Sequence, residues 1–290
     1  MSILEELGLP SLPEPLPRPV IDNHTHLGTT RQYSRLQELD SVDLAASVGV
    51  IGVVDVGCDL ASSREAVAWA ESDPRIVASI AMHPNDAARL VAREGEAALT
   101  AELAGIRELA RSPRVRAIGE TGIDHYRTRD EAGQRVQEAS FREHISWAKE
   151  LGLTLVVHDR DAHADILRVL DDEGAPKRVV MHCFSGDAAF ARECVERGFW
   201  LSFPGVVTFG SAGPLREAAR VTPLDRLLVE TDAPYLTPRP ERGRPNAPYL
   251  VPHTVRFLAD LLGQDLAGFC DRILANTFAA YGGAWGADHA

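Results

Sequence analysis

The chain has 290 residues, of which 45% are hydrophobic, and a formal net charge of −12. This length allows one large core, because α/β barrels commonly form single domains of about 250 residues. The acidic balance excludes a protein that coats nucleic acid through bulk charge, but it leaves room for a local arginine-lined cleft.

The cysteine pattern and the hydropathy of the chain predict its compartment. The four cysteines form no Cys-x-x-Cys pair, which is typical of reduced thiols in a cytoplasmic protein. No charged segment followed by an apolar one opens the chain, and no apolar run reaches about 18 residues. We therefore expect a cytoplasmic chain without a membrane span, and a monomer is the favoured state.

A proline-rich segment opens the chain. Pro13, Pro15, Pro17 and Pro19 occupy alternate positions, and proline disfavours helix and favours extended chain. We interpret residues 1–18 as an N-terminal arm outside the main fold, and residues 19–290 as one domain.

Strand-like and helix-like patterns alternate beyond the arm. The predicted strands are near-continuous apolar runs, typical of parallel strands buried on both faces. They span 19–26, 50–57, 76–83, 115–120, 153–158, 179–184, 199–203 and 226–232. The predicted helices cover roughly 60–72, 86–111, 131–151, 162–173, 187–197, 213–220 and 248–262. This alternation predicts a (β/α)8 TIM barrel rather than an open sheet.

Side chains that bind metals recur where the predicted strands end. His24 and His26 end the first strand and share one face, because residues two apart in a strand point the same way. The later strands end at His83, at Glu120 with Asp124 and His125 just beyond it, at His158, at His182, and at Glu230 with Asp232. In a TIM barrel these strand ends form one mouth, so six strands deliver metal-binding groups to one place.

This ligand set predicts a site for two divalent metals. Histidine and carboxylate ligands suit hydrolysis assisted by Zn, Mn, Ni or Mg. Two ions about 3.5–4 Å apart need a bridging carboxylate, and Glu120 lies on a middle strand. Asp232 ends the last strand, which adjoins the first in a closed barrel, so it can reach a metal held by His24 and His26. The second metal would take two histidines on neighbouring strands, His158 and His182.

Asp232 and Glu120 are the predicted catalytic residues. An ionised Asp232 can take a proton from metal-bound water, whose pKa the metals lower toward about 7. Cys183 directly follows His182, but successive strand residues face opposite ways, so we assign Cys183 to the barrel wall.

Taken together, these motifs resemble the TatD-like metal-dependent hydrolases, a family of deoxyribonucleases in the amidohydrolase-like barrel superfamily. The resemblance spans about 20–282. Its motifs are IDNHTHL at 21–27, MHP at 82–84, GETGID at 119–124, HDRDA at 158–162, HCFSG at 182–186, ETDAPYL at 230–236 and RGRPNAP at 242–248.

The resemblance implies the same two-metal site and a nuclease activity. It implies a 3′-to-5′ exonuclease acting on DNA and sometimes RNA, with a role in DNA repair. Many related barrels bridge their metals with a carboxylated lysine, but Lys149 and Lys177, the only lysines, lie away from the strand ends. Two departures bear on substrate preference: Gly28 stands where the family often has Asp, and His125-Tyr126 replaces its usual Tyr-Tyr.

Six residues near these motifs are the predicted substrate contacts. Arg160 lies two residues beyond His158, where it can bind a phosphate bidentately. Ser185 can offer its hydroxyl to an oxyanion, and Tyr235 can stack on a base. The others are His83, as a phosphate donor, and Arg244 and Asn246, in a long loop at 236–250 that is rich in proline and arginine.

The same set of metal ligands is compatible with two other functions. Metal-activated water could cleave a carboxylic ester or amide, such as an aminoacyl ester on tRNA or a lactone. The metals could also be structural, in a binding module without enzymatic activity. The sequence does not choose between Zn, Mn and Mg, or between DNA and RNA.

Overall fold

The computed structural model describes residues 2–285 and contains one eight-stranded parallel sheet whose strands follow chain order. The strands are β1 Val20–Thr25, β2 Val50–Gly57, β3 Ile76–Ile80, β4 Val115–Asp124, β5 Thr154–Arg160, β6 Val179–Met181, β7 Trp200–Phe203 and β8 Leu227–Val229. The sheet returns to its start where Thr25 bridges Ala233 in parallel, just beyond β8. The predicted (β/α)8 barrel is therefore confirmed.

Helices surround the strands. They are α1 Ile3–Leu7, α2 Leu27–Ser34, α3 Glu38–Ser47, α4 Leu60–Ser72, α5 Pro84–Glu94, α6 Glu96–Leu109, α7 Glu131–Leu151, α8 His163–Glu173, α9 Ala188–Glu196, α10 Gly213–Val221, α11 Val251–Leu261 and α12 Leu266–Ala280. None of the helices in the described part of the chain has the length and apolarity needed to cross a membrane.

Two differences from the predicted helices have local causes. The helix predicted over 86–111 is two helices, because Gly95 separates α5 from α6 with a φ of 87°, a conformation that favours glycine. Helices α1, α2, α3 and α12 were not predicted. The polar helix α2 begins at His26 without a side-chain cap, so its sequence carries no start signal.

The barrel interior is filled by one small apolar cluster. Every strand contributes to it, and aromatic residues from the C-terminal end of the chain join it. Trp285 is buried at 2% exposure, and the Tyr281 hydroxyl donates to the carbonyl oxygen of Asn23 at 3.1 Å. This packing leaves the carboxyl ends of the strands as the place where polar side chains can gather.

The N-terminal segment packs against the barrel, so the interpretation of residues 1–18 as lying outside the main fold is wrong in this respect. Leu4, Leu9 and Leu16 are buried in the core. The hydroxyl of Tyr249 donates to the carbonyl oxygen of Pro10 at 2.9 Å. The helix α1 precedes the prolines, so proline chemistry does not oppose it. Residues 286–290, which end the predicted domain, lie outside the described residues.

Replacing Leu16 by alanine is expected to destabilise the protein by about 2–3 kcal/mol, because a buried leucine side chain leaves a cavity. Leu12, four residues earlier and 42% exposed, is the matched control, and Leu12→Ala should change stability by less than about 0.5 kcal/mol. Thermal unfolding of both variants tests this. Equal midpoints would show that the segment is only loosely attached.

Candidate metal centre

Four ligand atoms from three strand ends surround one point. The Nε2 atoms of His24 and His26 lie 3.3 Å apart. Glu120 Oε1 lies 3.6 Å from the first and 3.5 Å from the second. Asp232 Oδ1 lies 3.8 Å and 3.6 Å from the same two atoms. Donor atoms that share one ion at about 2.1 Å lie about 3–4 Å from one another, so this group has the spacing of a metal site.

A second group faces the other oxygen of Glu120. Glu120 Oε2 lies 2.8 Å from His182 Nε2 and 3.0 Å from His158 Nδ1. The rings of His24 and His182 stack with centroids 3.8 Å apart, so the two groups adjoin. Glu120 thus presents one oxygen to each group, as a bridging carboxylate does.

Glycine lets β4 carry Glu120 into this position. Gly122 has a φ of 147°, which favours glycine, and an added Cβ there would clash with the carbonyl oxygen of His158 on β5. The pairing of β4 with β5 is irregular between Ile118 and Thr121. The close approach of the two strands therefore brings Glu120 and His158 together.

Two of the converging imidazoles have their other nitrogen beside an acceptor. His26 Nδ1 lies 2.9 Å from the carbonyl oxygen of Val56, and His182 Nδ1 lies 3.3 Å from Glu230 Oε1. A proton on each Nδ1 leaves the Nε2 lone pair facing the cluster. Glu230 therefore orients a neighbour, as expected for a buried strand-end carboxylate.

His158 presents Nδ1 to the cluster, whereas His26 and His182 present Nε2. Its Nδ1 faces Glu120, and its Nε2 lies 3.3 Å from Asp124 Oδ2. Asn85 Nδ2 donates to the same Asp124 oxygen at 2.7 Å, and the backbone N–H of Arg127 donates to the other oxygen at 2.8 Å. These contacts fix Asp124 as the acceptor that sets the tautomer of His158.

His83 lies beside the second donor group, but its Nε2 carries a proton and can donate a hydrogen bond. Its Nδ1 accepts the backbone N–H of Asn85 at 3.1 Å and so caps α5. Burial lowers the pKa of His83 to about 3, so the ring is neutral and its proton is on Nε2. That atom lies 3.8 Å from Glu120 Oε2. His83 is therefore suited to donating to a ligand rather than to binding a metal through Nε2.

The charges in the cluster stabilise one another. Burial alone would raise the pKa of Glu120, but the surrounding imidazoles, His182 foremost, hold it well below its usual range. Burial likewise opposes ionisation of Asp232, yet its contacts with the histidines lower its pKa. Both carboxylates are therefore ionised at neutral pH. Buried anions of this kind need cationic partners.

The donor set fits a divalent metal. Buried imidazole lone pairs and ionised carboxylates point at shared positions. His24 Nδ1 and both ring nitrogens of His182 are buried without a hydrogen-bond partner among the described residues. Nitrogen and oxygen donors of this type suit Zn or Mn, and the carboxylates suit Mg. The structure thus brings together all six predicted ligands: His24, His26, Glu120, His158, His182 and Asp232.

Cys58 was not predicted near this cluster. Its Sγ lies 3.6 Å from Glu120 Oε1 and 3.9 Å from His26 Nδ1. His26 Nδ1 already donates to the carbonyl oxygen of Val56, and the contact with Glu120 places the thiol against the first donor group. Burial raises the pKa of the Cys58 thiol to about 12, so Cys58 is neutral and is a weaker candidate ligand than the imidazoles and carboxylates around it.

The predicted substrate contacts fall into two sets, and the first lies at the mouth. The guanidinium of Arg160 lies 4.0 Å over the ring of Tyr126. The Tyr235 ring lies 6.3 Å from that of His26 and is 44% exposed. The Ser185 hydroxyl is exposed and donates to the carbonyl oxygen of Asp159 at 3.4 Å, which leaves its lone pairs free.

The second set supports the long loop instead. Asn246 is fully buried, and its amide donates to the carbonyl oxygens of Thr231 at 2.9 Å and Tyr235 at 2.6 Å. Arg244 pairs with Glu241 at 2.7 Å and donates to the carbonyl oxygen of Gly8 at 3.3 Å. These contacts hold the segment that carries Asp232, so the geometry favours a structural role over the substrate contact predicted for both residues.

Sequence reasoning missed the contribution of Tyr33. This residue lies on α2 and is 65% exposed, and its ring lies 5.9 Å from that of Tyr235. No motif marked it, because α2 itself was not predicted. The role of Asp124 was also missed, although its place in the GETGID motif was a usable signal.

Known proteins are similar to this chain in sequence and in fold. The family model described as TatD related DNase matches residues 21–282. A relative from Mycobacterium tuberculosis, named an uncharacterized metal-dependent hydrolase TatD, is 44% identical over 92% of this chain and 99% of its own. Another, from Escherichia fergusonii, is named a 3′-5′ ssDNA/RNA exonuclease TatD and is 33% identical over 82% of this chain and 90% of its own.

A solved structure supports the fold. The TatD homologue YJJV from Escherichia coli superposes with a TM-score of 0.79 at 24% identity, over 90% of this chain and 97% of its own. The family match covers nearly the whole chain and contains every converging ligand. The chain therefore belongs to the TatD-related DNase family and is a metal-dependent hydrolase.

Proposed function

We propose that this chain is a two-metal phosphodiesterase that removes nucleotides from single-stranded DNA, in the manner of a 3′-to-5′ exonuclease. The proposal rests on the position of the Glu120 carboxylate: each of its two oxygens faces a different donor group. Two ions about 3.5–4 Å apart, joined by a carboxylate, are typical of enzymes that displace a group at phosphorus.

Each donor group would hold one divalent ion. The first ion would take His24, His26 and Asp232, the second would take His158 and His182, and Glu120 would bind both. When bound, the ions lower the pKa of coordinated water to about 7 and stabilise charge on the attacking and leaving oxygens.

The protein side chains would supply proton transfer and substrate binding. The ionised Asp232 can accept a proton from the attacking water. His83, whose Nε2 carries the proton, can donate a hydrogen bond to a phosphate oxygen. Glu230 and Asp124 keep two imidazoles in the required tautomer.

The charge at the mouth supports an anionic substrate. Among the described residues, no carboxylate lies within 4.0 Å of the guanidinium nitrogens of Arg160, although the chain carries a net charge of −12. An uncompensated arginine beside the cluster suits a phosphodiester better than a neutral ester. The Escherichia fergusonii relative, which is named a 3′-5′ ssDNA/RNA exonuclease, supports the single-stranded substrate and the direction of cleavage. A monomeric, cytoplasmic enzyme that acts in DNA repair is part of the same proposal.

Metal-stripped protein tests the proposal. We expect it to leave an end-labelled single-stranded oligonucleotide intact, and to release mononucleotides once Mg, Mn or Zn is added. The position of the label gives the direction of cleavage, and metal analysis should find two ions per chain. If two ions bind but no DNA or RNA is cut, the phosphodiesterase proposal is wrong. Hydrolysis of aminoacyl-tRNA or a lactone would then identify the ester-cleaving alternative.

A further inference from the structure

Three exposed tyrosines surround the metal centre. Of the five tyrosines in the chain, Tyr33, Tyr126 and Tyr235 are 65%, 46% and 44% exposed, whereas Tyr249 and Tyr281 are buried. All three exposed rings follow the carboxyl end of a barrel strand. Exposed aromatic rings grouped at one mouth are typical of a site for a ligand with flat apolar faces.

Two of these rings form a pair beside the first donor group. The rings of Tyr33 and Tyr235 meet edge to face, with centroids 5.9 Å apart and planes at 75°. The Tyr235 ring lies 6.3 Å from the ring of His26. This tyrosine pair therefore forms a wall that begins at a candidate metal ligand and continues into solvent.

The third ring forms a cationic stack beside the second donor group. The Arg160 guanidinium lies 4.0 Å over the Tyr126 ring, and that of Arg129 lies 5.7 Å from it. Arg160 follows the ligand His158 by two residues on β5. A planar guanidinium held on an aromatic ring can stack on a base while its N–H groups reach a phosphate.

The barrel topology places these two patches on opposite sides of the centre. The tyrosine pair follows β1 and β8, which adjoin where the sheet returns to its start. The Tyr126–Arg160 stack follows β4 and β5, which are separated from β1 and β8 by two strands on each side of the ring. Glu120, on β4, projects between the two donor groups. A chain laid across the mouth from one patch to the other would pass over both groups.

We propose that the tyrosine pair and the Tyr126–Arg160 stack are two base-binding subsites, which hold the nucleosides on either side of the scissile phosphate. This inference rests on the proposed phosphodiesterase function. Stacking uses the faces of the bases, so the subsites accept any base sequence. Bases in a duplex are already stacked and paired, so the subsites select single strands. Binding depends on the bases and not on the sugar or on broad positive charge.

The test compares substrates with and without bases at the cleavage point. One substrate is a single-stranded thymidine decamer, and the other carries abasic residues at the two nucleosides that flank the first linkage cut. Tyr235→Ala and Tyr126→Ala should each raise KM for the intact decamer about tenfold, because stacking on one base contributes that much affinity. Neither substitution should change KM for the abasic decamer, and kcat should stay within about twofold.

Matched variants separate stacking from other effects. Tyr235→Phe and Tyr126→Phe keep the ring and should retain the KM of the wild type. Leu151→Ala removes an exposed apolar side chain, 44% accessible, at the end of α7 that precedes β5. It therefore alters the opposite face of the barrel and should have no effect. Metal content and thermal midpoint should be unchanged in every variant.

A second readout does not depend on turnover. A decamer with 2-aminopurine at the flanking position and phosphorothioate linkages should lose fluorescence on binding to the wild type, and less so with Tyr235→Ala. If the wild type cleaves the decamer and both alanine variants have its KM, the subsite proposal is wrong while the phosphodiesterase proposal stands. An equal loss on the abasic decamer would show a merely structural role and overturn the subsite proposal as well. If the wild type neither cuts nor quenches, the proposed function fails, and this inference fails with it.

Discussion

Glu120→Gln is expected to reduce turnover at least about a thousandfold, because a neutral amide cannot bridge two cations as a carboxylate does. Loss of several kcal/mol of charge stabilisation corresponds to this change in rate. The substitution keeps the shape of the side chain, so the barrel should remain folded. The direct measurement is metal content together with single-turnover cleavage: the variant should bind fewer than two ions per chain.

Glu143→Gln is the matched control for this experiment. Glu143 is an exposed carboxylate on α7, and its replacement should leave activity and metal content unchanged. Retention of two tightly bound ions by Glu120→Gln would contradict the bridging role. Loss of activity with a full complement of metals would instead assign Glu120 a role in the reaction itself.

Asp232→Asn is expected to lower kcat by about 100- to 10,000-fold, the range usual for removing a general acid or base. The contacts of Asp232 with the histidines lower its pKa, so it is ionised at neutral pH and free to take a proton. The asparagine variant cannot do so. In this variant the metal site formed with His24 and His26 should also be less occupied, because one of its oxygen ligands loses its negative charge.

The dependence of kcat on pH distinguishes these two roles of Asp232. If the carboxylate is the base, kcat of the variant at saturating metal should rise as the pH rises, because hydroxide replaces the missing base. If saturating metal restores full activity at neutral pH, Asp232 is only a ligand, and its assignment as proton acceptor is wrong. Asp225→Asn, an exposed carboxylate just before β8, should behave as the wild type.

The orientation of the imidazoles shows how the fold prepares the site. His26, His182 and His158 each present one nitrogen to the cluster and hold the other beside an acceptor. The acceptors come from β2, from the end of β8 and from β4. Correct tautomers therefore depend on the assembled barrel, and no single motif contains the information.

The sequence by itself determined the order of the strands and the candidate ligands that meet at one mouth. Buried parallel strands read as apolar runs, and the His-x-His pair shares a face through the two-residue period of a strand. Because the carboxyl ends of barrel strands meet at one mouth, polar residues at six strand ends were enough to locate the cluster. The ends of α4 and α7 were also predicted correctly: Asp59 caps the start of α4, and Asp130 and Gly152 cap the two ends of α7.

Only the tertiary structure decided which polar residues reach the mouth from loops. Arg244 and Arg160 look alike in sequence, yet Arg244 pairs with Glu241 and the N-terminal segment, whereas Arg160 stacks on Tyr126. Asn246 was predicted to contact substrate, but it is buried and its amide donates to the backbone carbonyl of Thr231. Such outcomes depend on contacts between distant parts of the chain, which local periodicity does not encode. The position of Tyr33 beside Tyr235 was decided in the same way, because α2 has no side-chain cap and packs against α3 and α4.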